Sequence, residues 1–187
     1  MFNLLGGHHA HDFDEPIGLL TDCHRRIEKF LEILHRVACA YGEKPLDQQA
    51  AAAVRTAQHY FTHAAPRHTA DEEESLFPRM KAAAASQGQG CDALVLLHRD
   101  HDRADRLHAQ VDMLLMMWLS PEAGGSLPPD RLAELTTLLD TLRDLYRDHI
   151  HVEEAEVFPL AGKLLSAHEF IAVGEEMRAR RGLTPPG

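Results

Sequence analysis

The feature that most constrains this chain is an eleven-residue segment that occurs twice. Residues 68–78 read HTADEEESLFP and residues 149–159 read HIHVEEAEVFP. Five of the eleven positions are identical: a histidine, two consecutive glutamates, a phenylalanine and a proline. Both copies stand late in segments whose apolar residues recur at helical spacing. This self-similarity indicates that the chain is built from two related helical hairpins.

A histidine in the preceding helix completes each half of the chain. His24 precedes the first copy by 44 residues, and His101 precedes the second copy by 48. Both histidines fall on the apolar stripe of their helix. An imidazole in that position is costly to bury unless another group pairs with it.

The spacing inside each copy brings an imidazole and a carboxylate together. Residues four apart lie on one face of a helix, so His68 can approach Glu72, and His149 can approach Glu153. Such groups converge on the axis of helix bundles that hold two metals. The candidate metal ligands are His24, His68, Glu72, His101, His149 and Glu153. We expect two metal ions with two bridging glutamates and a bridging oxo or hydroxo group, and this mixed imidazole and carboxylate ligation suits iron, manganese or zinc.

Turn and breaker residues divide the chain into four long helices and one short one. The predicted helices cover about residues 16–41, 47–85, 92–119, 130–165 and 167–181. We therefore predict an all-α fold, an antiparallel up-down four-helix bundle with a short C-terminal helix. The expected domain organisation is a flexible N-terminal tail (1–15), the bundle (16–165), and the C-terminal helix with its tail (166–187). Pro78 and Pro159 are expected to end each ligand helix with a kink just beyond the metal.

Composition excludes several classes of partner. The net charge is −10 and no Lys/Arg block is present, so neither nucleic acid nor a membrane surface is an expected partner. No apolar run approaches the roughly 20 residues that span a bilayer. The three cysteines are far apart and form no CxxC pair. Together with the absence of a signal-peptide pattern, they indicate a cytoplasmic protein.

Other polar residues near the repeat are weaker candidates for the metal site. His63, His98 and Glu156 stay open as ligands or as supports of ligands. Glu73 and Glu154 point about 100° away from the preceding glutamate on an ideal helix, so we predict that they lie on the surface. The N-terminal histidines are better explained as a disordered polar tail; they are His8, His9 and His11.

Taken together, these motifs resemble the hemerythrin-like, HHE cation-binding domain family. The matching signature is His24, His68-x3-Glu72 followed by LFP, His101, and His149-x3-Glu153 followed by VFP. The resemblance implies a four-helix bundle with a di-iron centre bridged by the two glutamates. It also implies a role in binding or sensing O2 or NO, in sensing iron, or in protecting and repairing iron centres under stress.

One departure from that family narrows the expected function. Oxygen-carrying members use a further histidine from a His-x3-His pair on the third helix, whereas the residue four after His101 is Asp105. The resemblance therefore favours the branch similar to iron-centre repair proteins. The expected partners are O2, NO or peroxide, and a homodimer stays open. Two alternatives remain: a redox enzyme such as a peroxidase, and a passive metal-binding or storage module.

Overall fold

The computed structural model describes residues 11–42, 44–120 and 124–183, and within these ranges the chain is helical with no strand. The all-α prediction is confirmed. The α-helices are α1 (Pro16–Tyr41), α2 (Gln48–His63), α3 (Ala65–Ala70), α4 (Phe77–Ser86), α5 (Asp92–Leu119), α6 (Pro129–Val152), α7 (Phe158–Leu164) and α8 (Ala167–Arg180). Two π-helical segments interrupt them, π1 (Asp71–Leu76) and π2 (Glu153–Val157). None of these helices is both long and apolar enough to cross a membrane.

Local sequence signals explain where several helices begin. Pro16 opens α1 and Pro129 opens α6, the position at which the missing N–H of proline is harmless. The carboxylate of Asp47 accepts a hydrogen bond from the backbone N–H of Ala50 and caps α2. Residues 1–10 of the predicted N-terminal tail, with His8 and His9, lie outside the described residues.

The long helices pack as neighbours, α1 against α2 and α6, and α5 against α6 and α2. Side-chain contacts give the relative directions. His24 pairs with Glu154 of π2 and His35 with Asp140 of α6, so α1 runs in the opposite direction to the continuous path of α6 and π2. Between α2 and α5, the side chain of Gln58 donates a hydrogen bond to Asp112.

The apolar core consists of two clusters with a polar layer between them. On α1, Leu20 belongs to one cluster and Ile27 to the other, and His24 lies between them. Along α5 the same order recurs, with His101 between the two clusters. The predicted apolar stripes therefore pack inward, and their histidines fall at one level of the molecule.

The π segments correct the prediction that each ligand helix ends at its proline. The helical path instead continues through α4 and α7, with Pro78 and Pro159 in their first turns. The backbone N–H of Phe77 bonds to the carbonyl of Glu72, five residues back, and Phe158 repeats this bond with its own glutamate. Because proline lacks an N–H and its ring crowds the carbonyl four residues back, the widened turn accommodates it within a helix.

Helix α8 packs closely on the segment that precedes α1. The guanidinium groups of Arg178 and Arg181 lie over the ring of Phe13, at 4.7 and 5.6 Å from its centroid. Gly174 of α8 faces the backbone of Phe13, and a Cβ placed there would fall 1.9 Å from the Phe13 carbonyl oxygen. A glycine is therefore required at this contact.

We predict that Gly174→Ala lowers the free energy of unfolding by about 1–3 kcal/mol, because the new methyl group must separate α8 from Phe13. Gly162→Ala is the matched control, since a Cβ at that helical glycine meets nothing within 4 Å. The control should raise stability by up to about 1 kcal/mol through helix propensity. Urea unfolding of the two variants measures both effects, and equal stabilities would contradict the packing argument.

Candidate metal centre

The six predicted ligand side chains meet in the polar layer between the two apolar clusters. None of them is more than 5% exposed. They come from both hairpins and form what we call the ligand cluster: His24 (α1), His68 (α3), Glu72 (π1), His101 (α5), His149 (α6) and Glu153 (π2). The structure thus brings together every residue of the predicted set.

The ligand cluster divides into two overlapping groups, in each of which four ligand atoms lie within 4.8 Å of one another. One group contains His24 and His68 of the first hairpin, and the other contains His101 and His149 of the second. The two glutamates belong to both groups. The geometry therefore offers two adjacent positions, each with two imidazoles and a share in both carboxylates.

Distances between the imidazole Nε2 atoms and the carboxylates show how the hairpins interlock. His24 Nε2 lies 3.0 Å from Glu153 Oε2, and His101 Nε2 lies 3.3 Å from Glu72 Oε2. Within each repeat, Nε2 of His68 lies 3.5 Å from Glu72 Oε1. Nε2 of His149 lies 3.2 Å from Glu153 Oε1. Each glutamate therefore contacts a histidine of its own hairpin and one of the other hairpin.

The donor set fits metal ions because its inward-facing atoms have no other partner among the described residues. All four carboxylate oxygens of Glu72 and Glu153 are buried without a hydrogen bond, and so are the Nε2 atoms of His24 and His101. Buried polar atoms are normally paired, so atoms that converge on one point without hydrogen bonds suit a bound cation. Imidazole nitrogen and carboxylate oxygen suit iron, manganese or zinc.

The second glutamate of each repeat supports a histidine of the opposite hairpin. Glu73 Oε1 lies 2.8 Å from Nδ1 of His101, and Glu154 Oε1 lies 2.9 Å from Nδ1 of His24. A carboxylate on Nδ1 fixes the orientation of the ring and leaves Nε2 to face the centre. The predicted surface location is only partly right, since these side chains are 24% and 28% exposed. We refer to Glu73 and Glu154 as the outer carboxylates.

The outer carboxylates differ in their own partners. Arg25 donates to both oxygens of Glu154, whereas Nδ1 of the exposed His98 lies 2.6 Å from Glu73 Oε1. His98, an open candidate, therefore contacts a support of the cluster and not the cluster itself. The other two open candidates, His63 and Glu156, are exposed and belong to neither group of ligand atoms.

The pKa values of the cluster indicate how its charge is arranged without metal. Burial is the largest single influence on His24 and lowers its pKa, but the nearby carboxylates outweigh it and raise the pKa to about 10. The same balance raises the pKa of His101 to about 9. Burial lowers the pKa of His68. Burial alone would raise the pKa values of Glu72 and Glu153, yet the surrounding histidines hold both below the usual value.

Tyr146 lies beside the cluster and His108 contacts Tyr146, and no signal in the sequence assigns either residue to the site. Tyr146 is buried one turn before His149, and their rings meet edge to face with centroids 6.3 Å apart. The Tyr146 hydroxyl lies 3.0 Å from Nε2 of His108, a histidine whose pKa burial lowers to about 4. Asp105, the residue that departs from the oxygen carriers, is exposed on α5.

Comparisons with known proteins agree with this geometry. The family described as "Hemerythrin HHE cation binding domain" matches residues 15–161. A protein of Haemophilus influenzae is 26% identical over 170 residues, which cover 90% of this chain and 91% of the relative. That relative is described only as an uncharacterized protein, so it contributes no activity.

We predict that Glu73→Gln and Glu154→Gln each weaken metal binding about 10–100-fold, the usual effect of removing the partner of a ligating histidine. Glu156→Gln is the matched control, because this glutamate is in the second repeat but exposed. Metal dissociation constants from competition with a chelator measure the effect. Equal affinities in all three variants would contradict the orienting role of the outer carboxylates.

Metal uptake at pH 7 should release about two protons per chain. The raised pKa values keep His24 and His101 protonated at that pH, and each imidazole must lose its proton before Nε2 can bind a metal. Metal affinity should therefore fall as the pH falls. Calorimetric titration of metal-free protein with Zn²⁺ in buffers of different ionisation enthalpy measures the release, and a buffer-independent heat would contradict it.

Proposed function

Because the chain belongs to the hemerythrin HHE cation-binding domain family, we propose that it is a non-haem di-iron protein. Its role would be to bind or sense O2, NO or peroxide, or to handle iron, in the response to oxidative and nitrosative stress. Repair of iron centres is one form that we propose for this role. The proposed setting is the cytoplasm, and the proposed architecture is the antiparallel four-helix bundle of the family.

The observation that carries the proposal is that both inner glutamates are shared between two groups of histidines. A single-metal site needs one group of ligands, whereas Glu72 and Glu153 belong to both groups. Carboxylates that bridge two ions are the characteristic ligands of di-iron sites in helix bundles. His24 and His68 would hold one ion, and His101 and His149 the other.

The charge of the site also supports metal cations. The inner glutamates and the outer carboxylates bring negative charge to the site; Arg25 pairs with one outer carboxylate, and metal cations would balance the buried inner pair. A buried excess of charge of either sign would be costly. The four histidines are then neutral, the form in which an imidazole binds a metal.

The small number of protein ligands to each ion supports a site that reacts with small molecules. Two histidines and two shared carboxylates give four protein ligands to each ion, and Asp105 is exposed and adds none. Iron, when bound, would supply open coordination positions and redox chemistry for a small oxidant. The surrounding apolar clusters exclude bulk water, and the outer carboxylates hold the imidazoles in place.

The test is elemental analysis and visible spectroscopy of protein purified without added metal. We expect about two irons per chain and absorption that changes on reduction and on exposure to O2 or NO. His149→Ala and Glu153→Ala should each lose most of this iron. His151→Ala is the matched control, because this histidine lies on the same helix but is exposed, and it should retain the iron.

The same experiment separates the alternatives. Zinc or manganese in place of iron, without a spectral response to O2 or NO, would favour a passive metal-binding or storage module. Multiple turnovers with peroxide and a reductant would favour a peroxidase. Unchanged iron in His149→Ala would overturn the assignment of the ligands.

A further inference from the structure

Asp71, the residue immediately before the inner glutamate Glu72, is a fully buried carboxylate that the metal site does not use. Its partners come from the far end of the chain. Arg181 donates from Nη2 to Oδ2 of Asp71 over 2.7 Å and from Nη1 to Oδ1 over 3.2 Å. Arg180, at the end of α8, donates to Oδ1 as well.

The contact extends along the π1 segment. Arg180 Nη2 donates over 2.9 Å to the hydroxyl of Ser75, which is also fully buried and lies one turn after Asp71. These four residues form what we call the Asp71 cluster: Asp71, Ser75, Arg180 and Arg181. Because buried charges and hydroxyls need well-placed partners, the two arginines fix both ends of the turn that carries Glu72.

The Asp71 cluster occurs in only one of the two repeats. The position of Asp71 is taken by Val152 in the second copy, and that of Ser75 by the exposed Glu156. Helix α8 contacts π1 and α1. The two halves of the ligand cluster therefore have the same types of ligand but differ in the residues that hold the ligand-bearing π segment in place.

The arginines also lie outside the part of the chain that matches the family. The match ends at residue 161, whereas α8 covers Ala167–Arg180. Ligand residues and outer carboxylates all fall inside the match. The arginines of the Asp71 cluster thus lie outside the matched region, whereas Asp71 and Ser75 lie inside it, and Asp71 adjoins a proposed metal ligand.

We propose that Asp71 is a positioning residue through which helix α8 holds the π1 segment, and with it Glu72, in the geometry that binds the metal pair. This inference rests on the proposed function, in which Glu72 is a ligand shared by both ions. Without the arginine contacts, the widened turn loses the arginine partners of Asp71 and one partner of Ser75. Glu72 then becomes mobile, and both ions lose a shared carboxylate.

The test is titration of the metal-free full chain with Co²⁺, whose visible bands report the coordination of the ion. Asp71→Asn and Arg181→Gln should weaken Co²⁺ binding at least about ten-fold and change the band shape. Arg178→Gln is the matched control: this arginine is also on α8 but lies over Phe13 and makes no contact with Asp71. Arg181→Lys should recover part of the affinity.

The outcomes distinguish the inference from the proposal beneath it. If the wild-type chain binds no Co²⁺, the proposed function fails. Wild-type affinity and bands in Asp71→Asn would overturn the positioning role alone. A purely structural role would leave the Co²⁺ bands unchanged while Arg178→Gln and Arg181→Gln lower the melting temperature alike, and this also overturns it. Circular dichroism checks that each variant folds. If Asp71→Asn does not fold, Arg181→Gln tests the inference in its place, because this variant keeps the contact between Arg180 and Asp71.

Discussion

The arrangement of this protein depends on two carboxylates, Glu72 and Glu153, that are fully buried between apolar clusters. An ionised carboxylate in such a place is destabilising by several kcal/mol unless positive charge or hydrogen bonds compensate it. The four histidines face these groups, and a metal pair would replace the protons that His24 and His101 otherwise supply. The polar layer, the unpaired atoms and the raised imidazole pKa values all follow from this one constraint.

The sequence is sufficient to predict the ligand cluster because its signal is periodic and doubled. His149 and Glu153 continue an apolar stripe at helical spacing, so the pattern of the residues alone predicts their burial. The same spacing recurs in the first copy with His68 and Glu72, and this repetition argues against a chance pattern. Helix type and the level of the site follow from the same periodicity.

Features that depend on departures from the ideal helix cannot be predicted in this way. An α-helix turns the outer carboxylates 100° from the inner ones, but the wider turn of a π segment rotates successive residues by a smaller angle. Ideal-helix geometry therefore assigns Glu73 and Glu154 to the surface, although their identity in both repeats is a usable signal. The partners of Asp71 cannot be predicted from the sequence for another reason. Arg181 is 110 residues away along the chain, and no local pattern links the two residues.

The crossed supports have a consequence for the origin of the fold. Each hairpin carries two histidines and one inner glutamate, but its first histidine takes its outer carboxylate from the other hairpin, Glu154 for His24 and Glu73 for His101. A lone hairpin would therefore be incomplete, whereas two identical hairpins about a two-fold axis would complete one another. The present chain has the form expected from duplication and fusion of such a self-complementary ancestor, with α8 as an asymmetric element that follows the second hairpin.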